Sequence, residues 1–196
     1  MTSLLTPRLH LVPFEDDHLA GLNAMNSDIE VMRYLGGKPQ SLAETQASID
    51  RVKARWQQYG YSWWSFFDRS SGQLVGAGCI QPTFAPRSTL PEIGWRLRRD
   101  HWGQGLASEA ARRMARFAMD QLSMPVIEAV CAKDNLASAQ VMQRLGMRFR
   151  GLERWDDEEG VFYEMTAQEW ARSPARVKAL EESVPEENAS HRPPTK

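Results

Sequence analysis

Apolar positions change period several times along the chain, and each change predicts an element. Arg8 to Val12 reads as a short strand ahead of Pro13. Asp16 and Asp17 then stand where a helix start would be, before Leu19, Leu22 and Met25 at helical spacing. Ile29 to Tyr34 continues as a short helical piece that Gly36 and Gly37 stop. Ser41-Leu-Ala-Glu44 has the spacing of a reciprocal cap, and Ile49, Val52 and Trp56 carry an apolar stripe to Tyr59. There the period drops to two. Tyr61 to Asp68 is aromatic and strand-like, Arg69 to Gly72 is a turn, and Gln73 to Ile80 is the returning strand of a hairpin. A turn-rich piece from Pro82 to Thr89 leads into Leu90 to Leu97. In that strand Ile93, Trp95 and Leu97 alternate with Glu92, Gly94 and Arg96, so the two sets lie on opposite faces.

Helical spacing returns from Gly103 to about Gln121, followed by a buried-looking strand from Pro125 to Cys131. Asn135 starts a helix that ends at Leu145 and Gly146. Arg148 to Glu153 and Val161 to Thr166 flank an acidic turn as a last hairpin, and Thr166 and Ser173-Pro174 look like helix starts. Three sequential strands, then strand–helix–strand–helix, then a hairpin predict an α/β sheet of mixed direction with flanking helices. Residues 1–170 read as one domain and 171–183 as a helical extension. Residues 184–196, polar and with three prolines, read as a disordered tail.

Composition narrows the classes. A formal net charge of −1 over 196 residues argues against bulk electrostatic binding of nucleic acid. Apolar runs stay well short of the ~18 residues of a membrane span, and the first residues lack the basic start and apolar centre of a secretory signal. A cytoplasmic protein without a membrane partner, monomer or homodimer, is the expectation. Cys79 and Cys131 sit in apolar strands, form no Cys-x-x-Cys, and read as core residues; no metal site is expected.

The most chemically informative stretch joins the strand ending at Leu97 to the helix after Gly105. A glycine-bearing turn that opens a helix presents unpaired backbone N–H groups backed by the positive end of the helix dipole, an anion site suited to a pyrophosphate. Gln104, Gly105, Leu106, Ala107 and Ser108 are the expected donors, with Ser108 able to add a hydroxyl contact. Arg98 and Arg99 precede the turn and either pair with phosphate or form a solvated face.

Three pieces together resemble the GNAT superfamily of acyl-CoA-dependent N-acetyltransferases, in its ribosomal-protein alanine acetyltransferase (RimJ/RimL-like) branch. They are Glu92-Ile-Gly-Trp95, His101-Trp-Gly-Gln-Gly-Leu-Ala-Ser-Glu-Ala110, and Asn135 to Met147 followed by Arg148-Phe-Arg-Gly151. The resemblance spans roughly Thr6 to Gln168 and implies a mostly antiparallel central sheet with a coenzyme A pyrophosphate loop at a helix N-terminus. It implies acetyl-CoA as co-substrate and direct attack by a primary amine, from a protein N-terminus or a small molecule, in a ternary complex. The coenzyme would meet Ile93, Trp95 and Leu97 of the strand, Arg98, Arg99, Trp102, the turn from Gly103 to Ser108, and Asn135 and Ser138. Trp102 stands where the wider family prefers Gln or Arg and this branch commonly has tryptophan. Met142 stands where many members carry a tyrosine that protonates the departing thiolate.

The chemistry needs a neutral amine. At pH 7 a free α-amine costs only about 1 kcal/mol to deprotonate and a lysine about 4.6. The resemblance places Glu92 at the position of a strand glutamate that acts as base, directly or through water; an ordinary solvated strand glutamate is the competing reading. Asn135 and Ser138 are read either as a helix cap or as contacts to the pantetheine arm and the sulfur. The family also implies that a backbone N–H around Ile93 to Trp95 meets the thioester carbonyl. Trp63, Trp64, Phe84 and Trp155 line an acceptor pocket or pack the core, His101 packs or caps beside the turn, and the acidic turn Asp156 to Glu159 favours a cationic acceptor or is a solvated loop. Two other readings stay open: a catalytically silent acyl-CoA-binding module, and an NAD(P)-binding oxidoreductase, since Gly103-Gln-Gly-Leu-Ala-Ser108 nearly spells the dinucleotide-binding pattern.

Overall fold

A computed structural model describes residues 1–83, 90–155 and 158–183, the side chains of Trp155 and Glu158 excepted. Phe84, Asp156, Asp157 and the tail from 184 to 196 therefore lie outside the described residues. The alternating segments form β1 (Leu4–Leu5), β2 (Leu9–Pro13), β3 (Trp63–Asp68), β4 (Leu74–Pro82), β5 (Pro91–Leu97), β6 (Val126–Ala132), β7 (Arg148–Trp155) and β8 (Glu158–Thr166). They make one sheet in the order β1-β2-β3-β4-β5-β6-β8-β7. Neighbours pair antiparallel throughout, except that β5 and β6 run parallel. A mixed sheet flanked by helices is what the order of elements predicts, and the mostly antiparallel pairing is what the resemblance implies; the two-residue β1 is an addition, too short to leave a period.

The helices are α1 (Leu19–Asn26), α2 (Ile29–Met32), α3 (Leu42–Tyr59), α4 (Leu106–Arg116), α5 (Leu136–Leu145), α6 (Ala167–Arg172) and α7 (Pro174–Glu181). Their starts obey the caps in the sequence. The Ser41 hydroxyl accepts from Glu44 N while Glu44 returns to Ser41 N at 2.8 Å, Thr166 and Glu169 repeat the arrangement, and Ser173 caps α7 with Pro174 in its first turn. One prediction moves: α4 begins at Leu106 and not at Gly103, because Gly103 and Gly105 hold φ of 73° and 77°, which form a turn. A π-helical turn, Phe117–Gln121, completes that helix.

The face carrying Trp64, Phe66, Ile93, Ile127 and Ala129 is fully buried, and α4 closes it with Ala110, Ala111, Met114 and Ala115. On the opposite face α1 packs against β4 and α3 packs against α1. Helix α7 lies against α4, where Arg112 and Glu182 pair at 2.6 Å. The close approach of α4 depends on Gly78. A Cβ there would stand 2.5 Å from Phe66 Cζ, 2.8 Å from Gly94 O and 2.9 Å from Met114 Cε. Gly78→Ala should therefore cost about 1–3 kcal/mol by overpacking; urea unfolding measures it, and an unchanged midpoint would show that the layer has slack.

Candidate functional site

Strands β5 and β6 are matched at one position among the described residues, Glu92 opposite Glu128. Beyond it they part. The gap opens into a cavity of about 570 Å³ walled by Gly94 to Leu97 on one bank and Val130, Cys131, Asn135 and Ser138 on the other. Each bank keeps an outer antiparallel neighbour, β4 for β5 and β8 for β6, so the opening leaves both strands supported. The cavity continues past Trp102, Gly103, Gly105, Ala107 and Ser108 at one end, and reaches α2 at Glu30 and Val31.

The turn at the head of α4 is braced from the far edge of the sheet. Glu109, in the first turn of α4, is almost fully buried. It accepts from Thr6 Oγ1 at 2.6 Å and from Arg8 Nε at 2.7 Å, while Arg8 Nη1 donates to Gln104 O at 2.9 Å. Trp102 Nε1 donates to Leu97 O at 2.9 Å and ties the strand end to the turn. Glu109 N makes the first helical bond, to Gly105 O at 3.1 Å. The backbone N–H groups from Gln104 to Ser108 meet no protein acceptor among the described residues. They form a fixed fan of donors at a helix N-terminus, the arrangement that binds anions.

Glu92 is partly buried in the cavity wall, between Gln81 of β4 and Glu128 of β6 in one row across the sheet. The orientation of Gln81 is settled by its other partners. Trp63 Nε1 (2.9 Å) and Arg55 Nη1 (3.2 Å) are pure donors, so they claim its oxygen and leave its amide N–H₂ to Glu92. Burial raises the Glu92 carboxyl, the Gln81 hydrogen bond opposes that, and the neighbouring Glu128 charge adds to it, so the group titrates at about 7. Sequence alone showed Glu92 on a strand face; the amide and the indole that locks it come from strands 11 and 29 residues earlier and left no local signal.

Asn135 takes the capping role: its Oδ1 accepts from Ser138 N at 3.2 Å. Its Nδ2 and the Ser138 hydroxyl meet no protein partner among the described residues, and both residues line the cavity. Met142, buried, lines the same wall. Cys131 lies there too; burial pushes its thiol to about 11, and its Sγ donates to Asn135 O at 3.7 Å. Cys79 is completely buried and free. Ile93, Trp95 and Leu97 all touch the cavity, although Ile93 and Leu97 face mainly into the core.

Other candidates are placed elsewhere. Arg98 is held by Asp100 at 2.7 Å and leans on Leu74 O at 3.4 Å, while Arg99 is exposed; neither lines the cavity. Gln104 is exposed and Leu106 is buried in the core, so both face the fan through their main chain alone. His101 Nδ1 contacts Asp100 at 2.9 Å. Of the tryptophans, Trp63 borders the cavity and Trp64 is entirely core. Within the acidic turn, Glu159 pairs with Lys133. Among the described residues there is no cluster of three or more potential metal ligands and no helix long and apolar enough to cross a membrane.

A stability prediction follows from Glu92. Its ordinary value is 4.5 and its folded value about 7. Below about pH 4.5 it is protonated in both states; as the pH rises toward 7 the unfolded chain ionises first, so stability is lost across that window. Glu92→Gln should raise stability at pH 8 by up to about 3 kcal/mol and leave it unchanged at pH 4. Denaturant titrations at the two pH values check it; a loss at pH 8 would contradict it.

The family model of the acetyltransferase (GNAT) domain matches residues 8–148, which hold Glu92, the turn and Asn135 to Ser138. The chain is 31% identical over 186 residues to FsC-acetyl coenzyme A-N(2)-transacetylase of Aspergillus fumigatus, covering 87% of this chain and 78% of that one. It is 29% identical over 163 residues to the uncharacterized protein YkkB of Bacillus subtilis, covering 82% and 94%. An acetyltransferase of Agrobacterium tumefaciens superposes with a TM-score of 0.73 at 26% identity, over 84% of this chain and 94% of that one. The mostly antiparallel sheet likewise departs from the parallel, doubly wound sheet of a dinucleotide-binding oxidoreductase. The chain belongs to the GNAT family of acetyltransferases, enzymes that draw their acyl group from an acyl-CoA.

Proposed function

We propose that the protein transfers an acetyl group from acetyl-CoA to a primary amine, on a small molecule or a protein N-terminus, by direct attack in a ternary complex. The observation that carries this reading is one cavity joining the unpartnered N–H fan of Gln104 to Ser108 with a carboxylate titrating near neutrality. In this reading the fan holds the diphosphate of the coenzyme, and Trp102 keeps the turn in register with β5. That tryptophan is also the feature favouring the RimJ/RimL-like branch. The A. fumigatus relative, named for acetyl coenzyme A and for an N(2) acceptor, supports an amine as the other substrate.

Acetyl-CoA supplies the activated thioester. Glu92, ionised above about pH 7, takes a proton from the acceptor's ammonium directly or through a water and so leaves the neutral amine that attacks the thioester carbonyl; base catalysis of this kind is worth about 10² to 10⁴ in rate. Gln81 donates its N–H₂ to that carboxylate and cannot accept its proton. Main-chain N–H groups of β5 between Ile93 and Trp95, where the strand has lost its β6 partner, stabilise the developing oxyanion. Met142 has no proton to give. The thiolate is instead stabilised by the N-terminus of α5, about 0.3–1 kcal/mol, and by the Ser138 hydroxyl, while Asn135 Nδ2 meets the pantetheine arm.

With a responsive amine, kcat/KM should rise about tenfold per pH unit below pH 7 and level off above it. Glu92→Gln should lower it by about 10² to 10⁴ and flatten that limb; a profile unchanged in the variant would remove Glu92 as the base. Gly105→Val forces a β-branched residue into positive φ at the helix cap. Its affinity for coenzyme A should fall at least tenfold by calorimetry. Undiminished affinity in Gly105→Val would place the diphosphate elsewhere, and no binding by the native protein would remove the acetyl-transfer reading.

A further inference from the structure

The side chain of Arg96 projects from the same face of β5 as Glu92, four residues on, so the two Cα atoms are about 13 Å apart at ordinary strand rise. Arg96 lines the cavity and is partly buried. Its guanidinium is fixed twice: Nε donates to Asn26 Oδ1 at 3.1 Å, and the planar group lies 4.5 Å from the centre of the Trp63 ring. Asn26 is itself buried and donates by Nδ2 to Gln40 Oε1 at 3.0 Å, so the acceptor of that bond is held in turn. None of these partners is a carboxylate, and Arg96 forms no ion pair among the described residues. Burial lowers its pKa to about 10, which leaves it charged at neutral pH.

A buried cation without a counter-ion is costly, and a fold usually supplies an anion or lets water in. Here the terminal nitrogens remain for the cavity. The cavity's other arginine, Arg144, is exposed on α5, and its carboxylates, Glu92 and Glu30, do not pair with Arg96. Arg96 also lies on the strand face that carries Glu92, away from the core face bearing Ile93 and Leu97 that α4 covers.

We infer that Arg96 is the specificity determinant for an acceptor that carries a carboxylate as well as the reacting amine, an amino-acid-like substrate held by its acid group on Arg96 and presented by its amine toward Glu92. The inference rests on the acetyl-transfer reading above and names its substrate class. A guanidinium clamped at Nε offers its two terminal nitrogens side by side, which matches a carboxylate in two parallel hydrogen bonds. Asn26 and Trp63 act as positioning residues by fixing the plane of that fork. A structural tie between α1 and β5 would need only the Nε donor; the orphaned charge is what a tie leaves unexplained.

The test uses matched pairs: glycine, β-alanine, 4-aminobutyrate and 5-aminovalerate, each against its own amide, which keeps the amine and removes the charge. For at least one chain length the native enzyme should favour the acid at least tenfold in kcat/KM, with the acid also binding more tightly by calorimetry. In Arg96→Gln the preference should shrink to threefold or less, and Arg96→Lys should restore part of it. A native protein that treats acid and amide alike in both turnover and binding overturns the inference, as does a preference that survives in Arg96→Gln. Coenzyme A binding measured alongside separates the two readings. If the coenzyme binds and the acid–amide difference is absent, the acceptor assignment alone fails; if the coenzyme does not bind, the acetyl-transfer reading fails, and calorimetry of the acids against Arg96→Gln still decides the role of Arg96.

Discussion

Everything at the cavity depends on β5 and β6 being allowed to part. Backbone groups torn from a sheet normally cost too much, because a strand edge turned inward has donors and acceptors with nowhere to go. Two features make the separation tolerable here. Each strand is secured along its outer edge by a long antiparallel neighbour, and among the described residues the pair meets only at Glu92 and Glu128. That meeting point sets two carboxylates side by side, so the sheet's one parallel seam is also a place of like-charge repulsion. The freed edge of β5 then faces a roomy cavity, where a ligand can use what the sheet does not.

The same seam sets up a trade between stability and chemistry. Burial and the Glu128 charge raise the Glu92 carboxyl to about 7, a cost to the folded state that, in the proposed mechanism, supplies the base. Arg96 adds a second unpaired charge on the same strand face. Support is concentrated elsewhere: the Thr6–Arg8–Glu109 cluster clamps the head of α4, and Gly78 lets that helix sit close on the sheet. The hydrogen bonds around the turn orient its donors before any ligand arrives.

Much of this architecture is legible in the sequence. Strand-like runs bounded by turns located the strands from β2 to β8, and the caps at Ser41, Thr166 and Ser173 form as their spacing predicts, because those signals are local. The glycine turn was readable too, since only a few residue types adopt its backbone. Contacts made across long separations were not. The clamp on Glu109 comes from residues more than a hundred positions earlier, and the indole that orients Gln81 lies on another strand. Arg98 shows the converse. It stands next to the turn in sequence, yet Asp100 two residues on captures its guanidinium, while Arg96, two residues before it, alternates onto the cavity face with its charge unmatched.

The central claim is that coenzyme A is held by the main chain of the turn and threads its thioester into the gap between β5 and β6. A crystal structure with a non-reactive acetyl-CoA analogue tests it most directly. The account predicts diphosphate oxygens about 3 Å from the backbone nitrogens between Gln104 and Ser108, with the acetyl group beside Gly94 and within one water of Glu92. An analogue bound outside the gap, or a turn left without the diphosphate, would contradict it.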